Sequence, residues 1–264
     1  MSTATLQIAS FSYHEVTDDP TMSGFQRPAA LPFKHTRRAF ARHLACIAGG
    51  PRVPGLVTQI DFARPGRHVL LTFDDGGKSA VYVADELSRR GWKGHFFILT
   101  SLIGTRTFVD AGDIKYLRSC GHVVGSHSHT HPDIFRDLTP ELMLEEWRTS
   151  CGILADLLGE PCTVASVPGG DISSAVLHSA APAGLRYVFT SEPWIAPRQV
   201  EGTWILGRFG PKAGTSPLRV AELARFHGWR RALIERRLKG ALRRSLPALY
   251  RLYVRRTTRD WATP

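Results

Sequence analysis

Apolar strand-like runs alternate with amphipathic helical segments from residue 68 onwards, and this alternation limits the possible fold more than any other feature of the chain. The connections between successive segments are only a few residues long. Such alternation is typical of βα units around a parallel sheet or barrel. The predicted strands cover 68–73, 94–99, 122–125, 164–167, 187–190 and 204–206. The predicted helices cover 79–90, 110–119, 139–158 and 173–181.

The sequence predicts three segments in a chain of 264 residues. Residues 1–66 would be a lead-in with a strand at 8–16 and a helix at 36–48, both packed on the barrel. Residues 67–215 would form the core, and residues 216–264 a basic amphipathic helical tail. Hydrophobic residues make up 43% and charged residues 22%, which is ordinary for a folded protein and excludes disorder as the default.

The positive charge is concentrated in that tail. The stretch from Arg225 to Asp260 carries a net +10 of the chain's +11, and leucines at 238, 242, 246 and 249 follow helical spacing. One interpretation is a terminal helix packed on the barrel with a solvated basic face. A second is peripheral contact with an anionic membrane surface. No nucleic-acid-binding module accompanies the charge, so specific nucleic acid binding is not predicted.

Cysteine usage and apolar runs bear on the cellular location. The four cysteines form no CxxC pair and do not resemble a thiolate zinc site, so we predict unpaired thiols. Residues 1–16 show none of the regions of a secretory signal, and no run approaches the ~20 apolar residues of a membrane span. We therefore expect a cytoplasmic protein, free or peripheral on the inner face of the membrane.

Unusual polar residues follow the predicted strands. Asp74 and Asp75 end the strand at 68–73; adjacent carboxylates repel each other and need water, a cation or hydrogen bonds. A solvated Asp-Asp-Gly-Gly turn is the alternative interpretation. His127 and His131 follow the strand at 122–125, and side chains four apart share one face of a helical turn, where they can converge on one cation.

A third feature, Pro168-Gly169-Gly170, follows the strand at 164–167. Glycines there allow a ligand to approach the backbone, although an ordinary strand-to-helix turn would look the same. The combination of the three features is more specific than any one of them. Two histidines and one carboxylate leave open positions on a metal, which is typical of catalytic rather than structural sites.

These residues resemble the NodB-homology polysaccharide deacetylases, also called carbohydrate esterase family 4, over about residues 69–194. Residues 72–76 (Thr-Phe-Asp-Asp-Gly) look like the first motif of the family, and residues 121–131 look like its second motif, with His-Ser-x-x-His intact. The segment His95-Phe96-Phe97 lies where the family usually has a Phe-Phe strand. Residues 13–16 resemble a Tyr-His-x-Val strand found near the start of many members.

The resemblance implies an α/β fold, a deformed (β/α) barrel with fewer than eight full units. It implies that Asp74 is the general base and that Asp75, His127 and His131 hold a divalent metal. That metal is zinc in many members, with cobalt or manganese as alternatives. The oxyanion would be stabilised by the metal and by a backbone N–H, for which Gly169 is the matching position.

Two departures from the family pattern leave roles open. The third motif usually begins with an arginine that pairs with the base, and Ser166 stands there instead. Arg208, after the strand at 204–206, is a candidate substitute, and a surface arginine is the alternative. The Leu-x-His of the fifth motif is missing, so the general acid is unassigned; neither His178 nor His227 fits well.

Three further residues are candidates for contact with the substrate. Trp194 matches the tryptophan of the fourth motif, although a core tryptophan would look the same. Pro168 and His14 lie in segments that resemble the third motif and the Tyr-His strand.

The leading functional hypothesis is a metal-dependent deacetylase of an N-acylated glycan or a lipid-linked sugar, in cell-envelope or exopolysaccharide biosynthesis. One alternative is a deformylase of a lipid-linked amino sugar. Another is a non-catalytic glycan-binding descendant, which Ser166 favours and the four intact site residues oppose.

Overall fold

A computed structural model describes residues 5–170 and 172–258 of the chain. Within the last two helices, it leaves out the side chains of residues 239, 242–244, 247, 248, 251 and 255, so the predicted role of Leu242 on a helical face lies outside the described residues. The strands are β1 (Leu6–Tyr13), β2 (Glu15–Val16), β3 (Lys34–His35), β4 (Pro54–Gly55), β5 (Gly66–Phe73), β6 (His95–Ile98), β7 (Val123–Ser126), β8 (Val164–Ser166), β9 (Tyr187–Phe189), β10 (Arg198–Val200) and β11 (Thr203–Leu206). The helices are α1 (Arg37–Ala48), α2 (Ala80–Ser88), α3 (Ala111–Ser119), α4 (Pro140–Leu158), α5 (Ser174–His178), α6 (Pro217–Ala224), α7 (Trp229–Ser245) and α8 (Pro247–Thr257).

One mixed sheet organises the molecule, in the order β1-β5-β6-β7-β8-β9-β11-β10 with β4 beside β5. All of its pairs are parallel except β10 with β11. Phe209, just after β11, returns to β1: its N–H donates to Ser10 O at 2.9 Å and its carbonyl accepts from Ser12 N–H at 2.9 Å. The curled sheet therefore draws its two ends together, which confirms the predicted α/β fold of deformed-barrel type.

Helix ends follow the capping signals of the sequence. The Thr139 side chain accepts from Leu142 N–H, Pro140 begins α4, and Gly159 ends it with a left-handed φ of 69°. Trp147 and Leu154 on this helix are fully buried. Their spacing places both on the face of α4 that packs against the sheet.

The first strand belongs to the core sheet, although the prediction places residues 1–66 outside the core. β1 pairs with β5 along its whole length, from Leu6 opposite Gly66 to Tyr13 opposite Phe73. Residues 6–13 are therefore a strand of the core sheet, and only the segment that follows them, including α1, packs around it. The sequence could not indicate this, because a strand's partner is not visible in its own apolar pattern.

The basic tail is three helices instead of the single helix predicted. The leucine spacing across 238–249 suggested a continuous helical face, but α7 ends at Ser245 and α8 begins at Pro247. Proline has no N–H to donate and its ring clashes with the preceding turn, so a helix cannot run through it undisturbed. No helix among the described residues is long and apolar enough to cross a bilayer.

Candidate active site

The carboxyl ends of the parallel strands collect the polar residues predicted from the sequence. His14 follows β1, Asp74 and Asp75 follow β5, His127 follows β7, and Arg208 follows β11. These strands are far apart in the chain but share one edge of the curled sheet. Ligand sites of parallel α/β folds collect at this edge.

Asp75, His127 and His131 form a cluster whose ligand atoms all lie within 4.8 Å of one another. Asp75 Oδ1 is 3.3 Å from His127 Nε2 and 3.7 Å from His131 Nε2. The Asp75 and His127 side chains are buried, and that of His131 is 11% exposed. One carboxylate and two imidazoles leave coordination positions for a substrate and water.

The hydrogen bonds around this cluster fit a cation. His127 Nδ1 lies 3.0 Å from the carbonyl of Ser166, which can only accept, so Nδ1 carries a hydrogen and Nε2 faces Asp75. Asp75 Oδ1 is buried and forms no hydrogen bond of standard geometry. A buried carboxylate oxygen beside this ring nitrogen requires a positive charge, either a proton on Nε2 or a metal ion.

The electrostatics of the cluster point the same way. Burial lowers the pKa of His127, but the charges of Asp74 and Asp75 raise it above its ordinary value, so positive charge is favoured here. Burial and the neighbouring His127 lower the pKa of His131 to about 3, which keeps its lone pair free for a metal. Burial acts to raise the pKa of Asp75, but the facing His127 and nearby His14 hold it well below the usual range.

The path between the two histidines differs from the predicted helical turn. Residues 127–131 form an irregular loop in which Ser128 and His131 adopt positive φ values of 65° and 53°. Ser128 Oγ accepts from His131 N–H at 3.1 Å, and Glu146 on α4 accepts from the N–H groups of His129 and Thr130 at 2.8 Å each. Backbone strain held by such contacts is common at functional sites. The histidines converge because of this loop and not because of helical periodicity.

His129, between the two ligands, turns away from the cluster. Its Nδ1 lies 3.0 Å from Thr100 Oγ1. His129 is therefore not part of the Asp75, His127 and His131 cluster.

A buried carboxylate supports the turn that carries Asp75. Glu15 accepts from Ser79 Oγ at 2.6 Å and also from Ser23 Oγ. Burial raises the pKa of Glu15 to about 7 despite these donors. A Cβ at Gly77 would overlap the Glu15 carboxylate, which explains the second glycine of the Asp-Asp-Gly-Gly turn.

Arg208 forms a two-pronged ion pair with Asp74. Its Nη1 donates to Asp74 Oδ1 at 2.7 Å and its Nη2 donates to Asp74 Oδ2 at 2.9 Å. Arg208 is completely buried and Asp74 is 4% exposed. Arg208, which the sequence offered as a substitute for the missing third-motif arginine, thus lies beside Asp74.

The remaining donors of Arg208 are also satisfied. Nη2 donates to Ser166 Oγ at 2.8 Å, Nη1 to Thr72 Oγ1 at 2.9 Å, and Nε to the carbonyl of Thr190 at 2.9 Å. The short side chain of Ser166, at the end of β8, therefore leaves room for the guanidinium of Arg208, which follows β11. Its contact with Arg208 could not be predicted from the sequence alone.

Ser12 is a site residue that the sequence analysis missed. Its Oγ donates to Asp74 Oδ2 at 3.2 Å. The available signal was a pair of serines, Ser10 and Ser12, that alternate with apolar residues and therefore share one face of β1.

Asp74 is ionised in this setting. Burial acts to raise its pKa, but the charges of Arg208, His127 and His14 lower it to about 2. A carboxylate that stays charged beside the candidate metal ligands Asp75, His127 and His131 is suited to accept a proton from water.

The turn after β8 brings Gly169 to the surface with a left-handed φ of 63°. Pro168 is buried beneath it. The neighbouring Gly170 N–H donates to Val167 O at 2.9 Å and is used within the turn. Gly169 therefore remains the candidate backbone donor of this segment.

Three histidines outside the metal-ligand cluster could donate a proton: His14, His178 and His227. Only His14 lies next to Asp74. Tyr13 is opposite Phe73 in the sheet and its carbonyl accepts from Asp74 N–H at 2.9 Å, so His14 lies next to Asp74. His14 Nδ1 is buried with no partner. His178 is exposed near Glu201 and His227 is exposed after α6, so neither belongs to the site.

Trp194 lies after β9 at the same edge of the sheet. Arg198 stacks on its ring at 4.4 Å, and its Nε1 is buried with no acceptor. Trp194 N–H donates to Glu192 O at 2.9 Å, and Arg208 N–H donates to the same oxygen at 3.0 Å. Trp194 and Arg208, the arginine that pairs with Asp74, are therefore linked through the carbonyl of Glu192.

The sequence across the core of the sheet is similar to that of a known family. Residues 62–188, a little less than half of the chain, match the family model described as polysaccharide deacetylase. Asp75, His127 and His131 of this chain form a possible metal site.

Curated relatives include the peptidoglycan-N-acetylglucosamine deacetylase PgdA of Listeria monocytogenes, 29% identical over 140 residues. That alignment covers 52% of this chain and 29% of the relative, so the chain spans less than a third of the relative's length. The relative's activity is thus a basis for a proposal about this chain.

Solved structures support the fold. The Streptococcus pyogenes deacetylase PplD in complex with acetate has a TM-score of 0.68 at 17% identity, covering 83% of this chain and 99% of that one. IcaB from Ammonifex degensii has a TM-score of 0.68 at 20% identity, covering 83% of this chain and 97% of that one. Both alignments extend well beyond residues 62–188.

Proposed function

We propose that this chain is a metal-dependent hydrolase that removes an N-acyl group, most simply acetyl, from an amino sugar of a glycan or a glycan intermediate. The observation that carries the proposal is the ionised Asp74, clamped by Arg208 beside the Asp75, His127 and His131 cluster. A glycan-binding protein has no need of a buried base next to three metal ligands. The name and family of PgdA support an N-acetylated sugar as the substrate class.

The chain's own residues account for the hydrolytic proton transfers. Asp74 takes a proton from water as the water oxygen bonds to the acyl carbon. Arg208 holds both carboxylate oxygens, so the base cannot rotate away from the metal cluster. The exposed Gly169 turn offers an N–H to the acyl oxygen as negative charge develops there.

Asp75, His127 and His131 would hold the divalent metal, for which zinc is our first choice and cobalt or manganese are alternatives. When bound, such an ion supplies Lewis-acid polarisation of the acyl carbonyl and of water. One imidazole is already fixed by the Ser166 carbonyl, so its ligand atom is oriented before binding.

His14 is the candidate proton donor for the leaving amine. It lies next to Asp74, outside the metal cluster, and has a buried ring nitrogen with no partner. As the carbon–nitrogen bond breaks, the amine nitrogen gains a proton and the acyl group leaves as a carboxylate. His14, directly after β1, would then fill the role of the missing Leu-x-His.

Product identity is the experiment that tests this proposal. Metal-loaded protein is incubated with N-acetyl and N-formyl amino sugars, both free and in oligomers, and acetate, formate and new primary amines are quantified. We expect acetate and amine in equal amounts. Formate alone would assign the deformylase alternative, and no product from either series would favour the non-catalytic glycan-binding descendant.

We also propose that the tail contacts an anionic membrane surface. α8 presents Leu249, Leu252 and Tyr253 with 63%, 57% and 62% of their surfaces exposed. The same helix contains three arginines and no acidic residue. Exposed apolar side chains interspersed with basic ones are typical of helices that lie in a membrane interface.

The position of α8 connects this surface with the site. Thr258, just after the helix, donates to Asp133 at 3.1 Å, and Thr257 O accepts from Ala29 N–H at 3.0 Å. Asp133 is two residues from His131. A membrane against α8 would therefore lie near the metal ligands, in keeping with a lipid-linked sugar substrate and a location on the inner face of the membrane.

Replacing Leu249, Leu252 and Tyr253 together with serine is expected to weaken binding to anionic vesicles by about 10-fold or more, since each buried apolar side chain contributes about 1.5–3 kcal/mol. Co-sedimentation with phosphatidylglycerol vesicles measures the loss. Val53→Ser and Leu142→Ser are matched controls, because they remove exposed apolar side chains far from the tail in sequence. Unchanged binding of the triple variant would contradict the membrane contact.

A further inference from the structure

A pocket of about 580 Å³ lies between α7 and the loops that follow β7, β8 and β9. Four arginines line it, together with one carboxylate and several apolar side chains. The arginines are Arg136, Arg198, Arg236 and Arg237. The carboxylate is Glu192, which accepts from Arg236 Nε at 3.0 Å. Among the described lining residues positive charge therefore exceeds negative charge by three.

The pocket is next to the candidate active site. Glu192 and Trp194 both line it, and the carbonyl of Glu192 accepts from the N–H of Arg208, the residue paired with Asp74. Ile172, on another wall, is three residues from Gly169. The pocket therefore adjoins the segment that carries Arg208, so a substrate that extends from Asp74 toward Trp194 would enter it.

Aromatic and apolar surfaces shape the arginine positions. The guanidinium carbon of Arg198 lies 4.4 Å from the centre of the Trp194 ring, and that of Arg136 lies 6.0 Å from the centre of the Tyr250 ring. Stacking fixes the plane of a guanidinium and leaves its edge free to form hydrogen bonds. Planar guanidinium edges recognise phosphate oxygens through paired, charge-assisted hydrogen bonds.

We propose that this pocket binds a phosphate or diphosphate group esterified to the acylated sugar. This inference rests on the proposed function, which supplies the N-acylated sugar. It adds that the substrate is a phosphate ester of that sugar instead of a neutral polymer. A phosphate would give Arg198 and Arg237 an anionic partner, which a neutral glycan cannot do.

The rim of the pocket favours a lipid-linked source for the phosphate. Ile234 and Leu238 of α7 line the pocket and are 58% and 67% exposed. Both lie on the helix that leads to the exposed apolar face of α8. An acyl or polyprenyl chain on the far side of the phosphate would cover apolar surface that a nucleotide would not.

The test compares the binding of N-acetylglucosamine and N-acetylglucosamine 1-phosphate to the metal-loaded full chain by calorimetry. We expect the phosphate ester to bind at least about 10-fold more tightly, and the Arg198→Ala/Arg237→Ala variant to lose about 10- to 100-fold of that affinity. Phosphate that contacts only the metal would be unaffected by this variant. Equal binding of the two sugars, or a preference that survives the double variant, would overturn the proposal.

Arg230→Ala is the matched control, because Arg230 is an exposed arginine of α7 that does not line the pocket. Its affinity for the phosphate ester should equal that of the wild type. Arg198 and Arg237 are exposed, so both variants should unfold thermally as the wild type does. Binding is measured in metal-loaded Asp74→Asn protein, with and without the arginine substitutions, to remove turnover. A phosphate preference there, together with no hydrolytic activity in the wild type, would refute the proposed function and leave the pocket standing.

A second pair of ligands identifies the source of the phosphate. Polyprenyl-diphosphate-linked and nucleoside-diphosphate-linked N-acetylglucosamine are compared in wild type and in Ile234→Ser/Leu238→Ser. Weaker binding of only the polyprenyl form in the variant would support a lipid-linked source. Unchanged binding of the polyprenyl form would overturn that assignment in favour of a soluble sugar nucleotide.

Discussion

Asp74→Asn is expected to lower the rate of acyl release by about 10²- to 10⁴-fold, the usual contribution of a general base. Asparagine keeps the shape of the side chain but cannot accept a proton from water at neutral pH. Because Asp75, His127 and His131 are untouched, the variant should bind metal as the wild type does. Steady-state kinetics on the substrate found in the product screen, with metal content measured on the same samples, check both expectations.

Ser12→Ala is the matched control for this variant. Ser12 contacts Asp74 through one 3.2 Å hydrogen bond and donates no proton in the proposed reaction. Its loss should cost less than about 10-fold, since a neutral hydrogen bond contributes about 0.5–1.5 kcal/mol. An Asp74→Asn protein with metal bound and near wild-type activity would remove Asp74 from the role of base.

Arg208→Met is expected to lower the free energy of unfolding by about 3–5 kcal/mol and to reduce activity sharply. The substitution leaves Asp74, 4% exposed, without its ion-pair partner, and an uncompensated buried charge is strongly destabilising. Denaturant unfolding measures the stability. The double variant Asp74→Asn/Arg208→Met should lose less than the sum of the two single losses, because it removes both charges together.

A swap of the two positions tests whether the guanidinium itself matters. Ser166 and Arg208 are in direct contact, with Nη2 2.8 Å from Oγ. The resemblance found in the sequence implies an arginine at position 166. Ser166→Arg/Arg208→Ser should therefore recover part of the stability and activity that Arg208→Ser loses. An Arg208→Ser variant as stable and as active as the wild type would show that the pair with Asp74 contributes little.

Much of the fold was predictable because local signals determined it. The capping residues Thr139 and Gly159 gave the limits of α4, and apolar runs gave β5 to β9 within one or two residues. The sequence analysis predicted neither the position of β1 in the core sheet nor the break between helices before Pro247. The first depends on pairing between distant strands, and the second required the proline to be weighed against a regular leucine spacing.

The candidate site was predictable in its residue types more than in its geometry. Asp74, Asp75, His127 and His131 could be identified because strand ends of a parallel sheet converge. The loop that joins the two histidines was predicted wrongly as a helical turn, because equal spacing does not reveal positive φ at Ser128 and His131. The pairing of Arg208 with a residue 134 positions earlier depends on the way the sheet curls, which no local pattern encodes.

Metal content tests the central claim most directly, by mass spectrometry of wild type, His131→Ala and His129→Ala after incubation with zinc, cobalt or manganese. We expect about one divalent ion per chain in the wild type and in His129→Ala, whose ring contacts Thr100, and a large loss in His131→Ala, which removes one of three protein ligands. The absence of metal from the wild type under all three conditions would contradict a metal-dependent hydrolase. So would metal retained in full by His131→Ala, because the bound ion would then lie elsewhere.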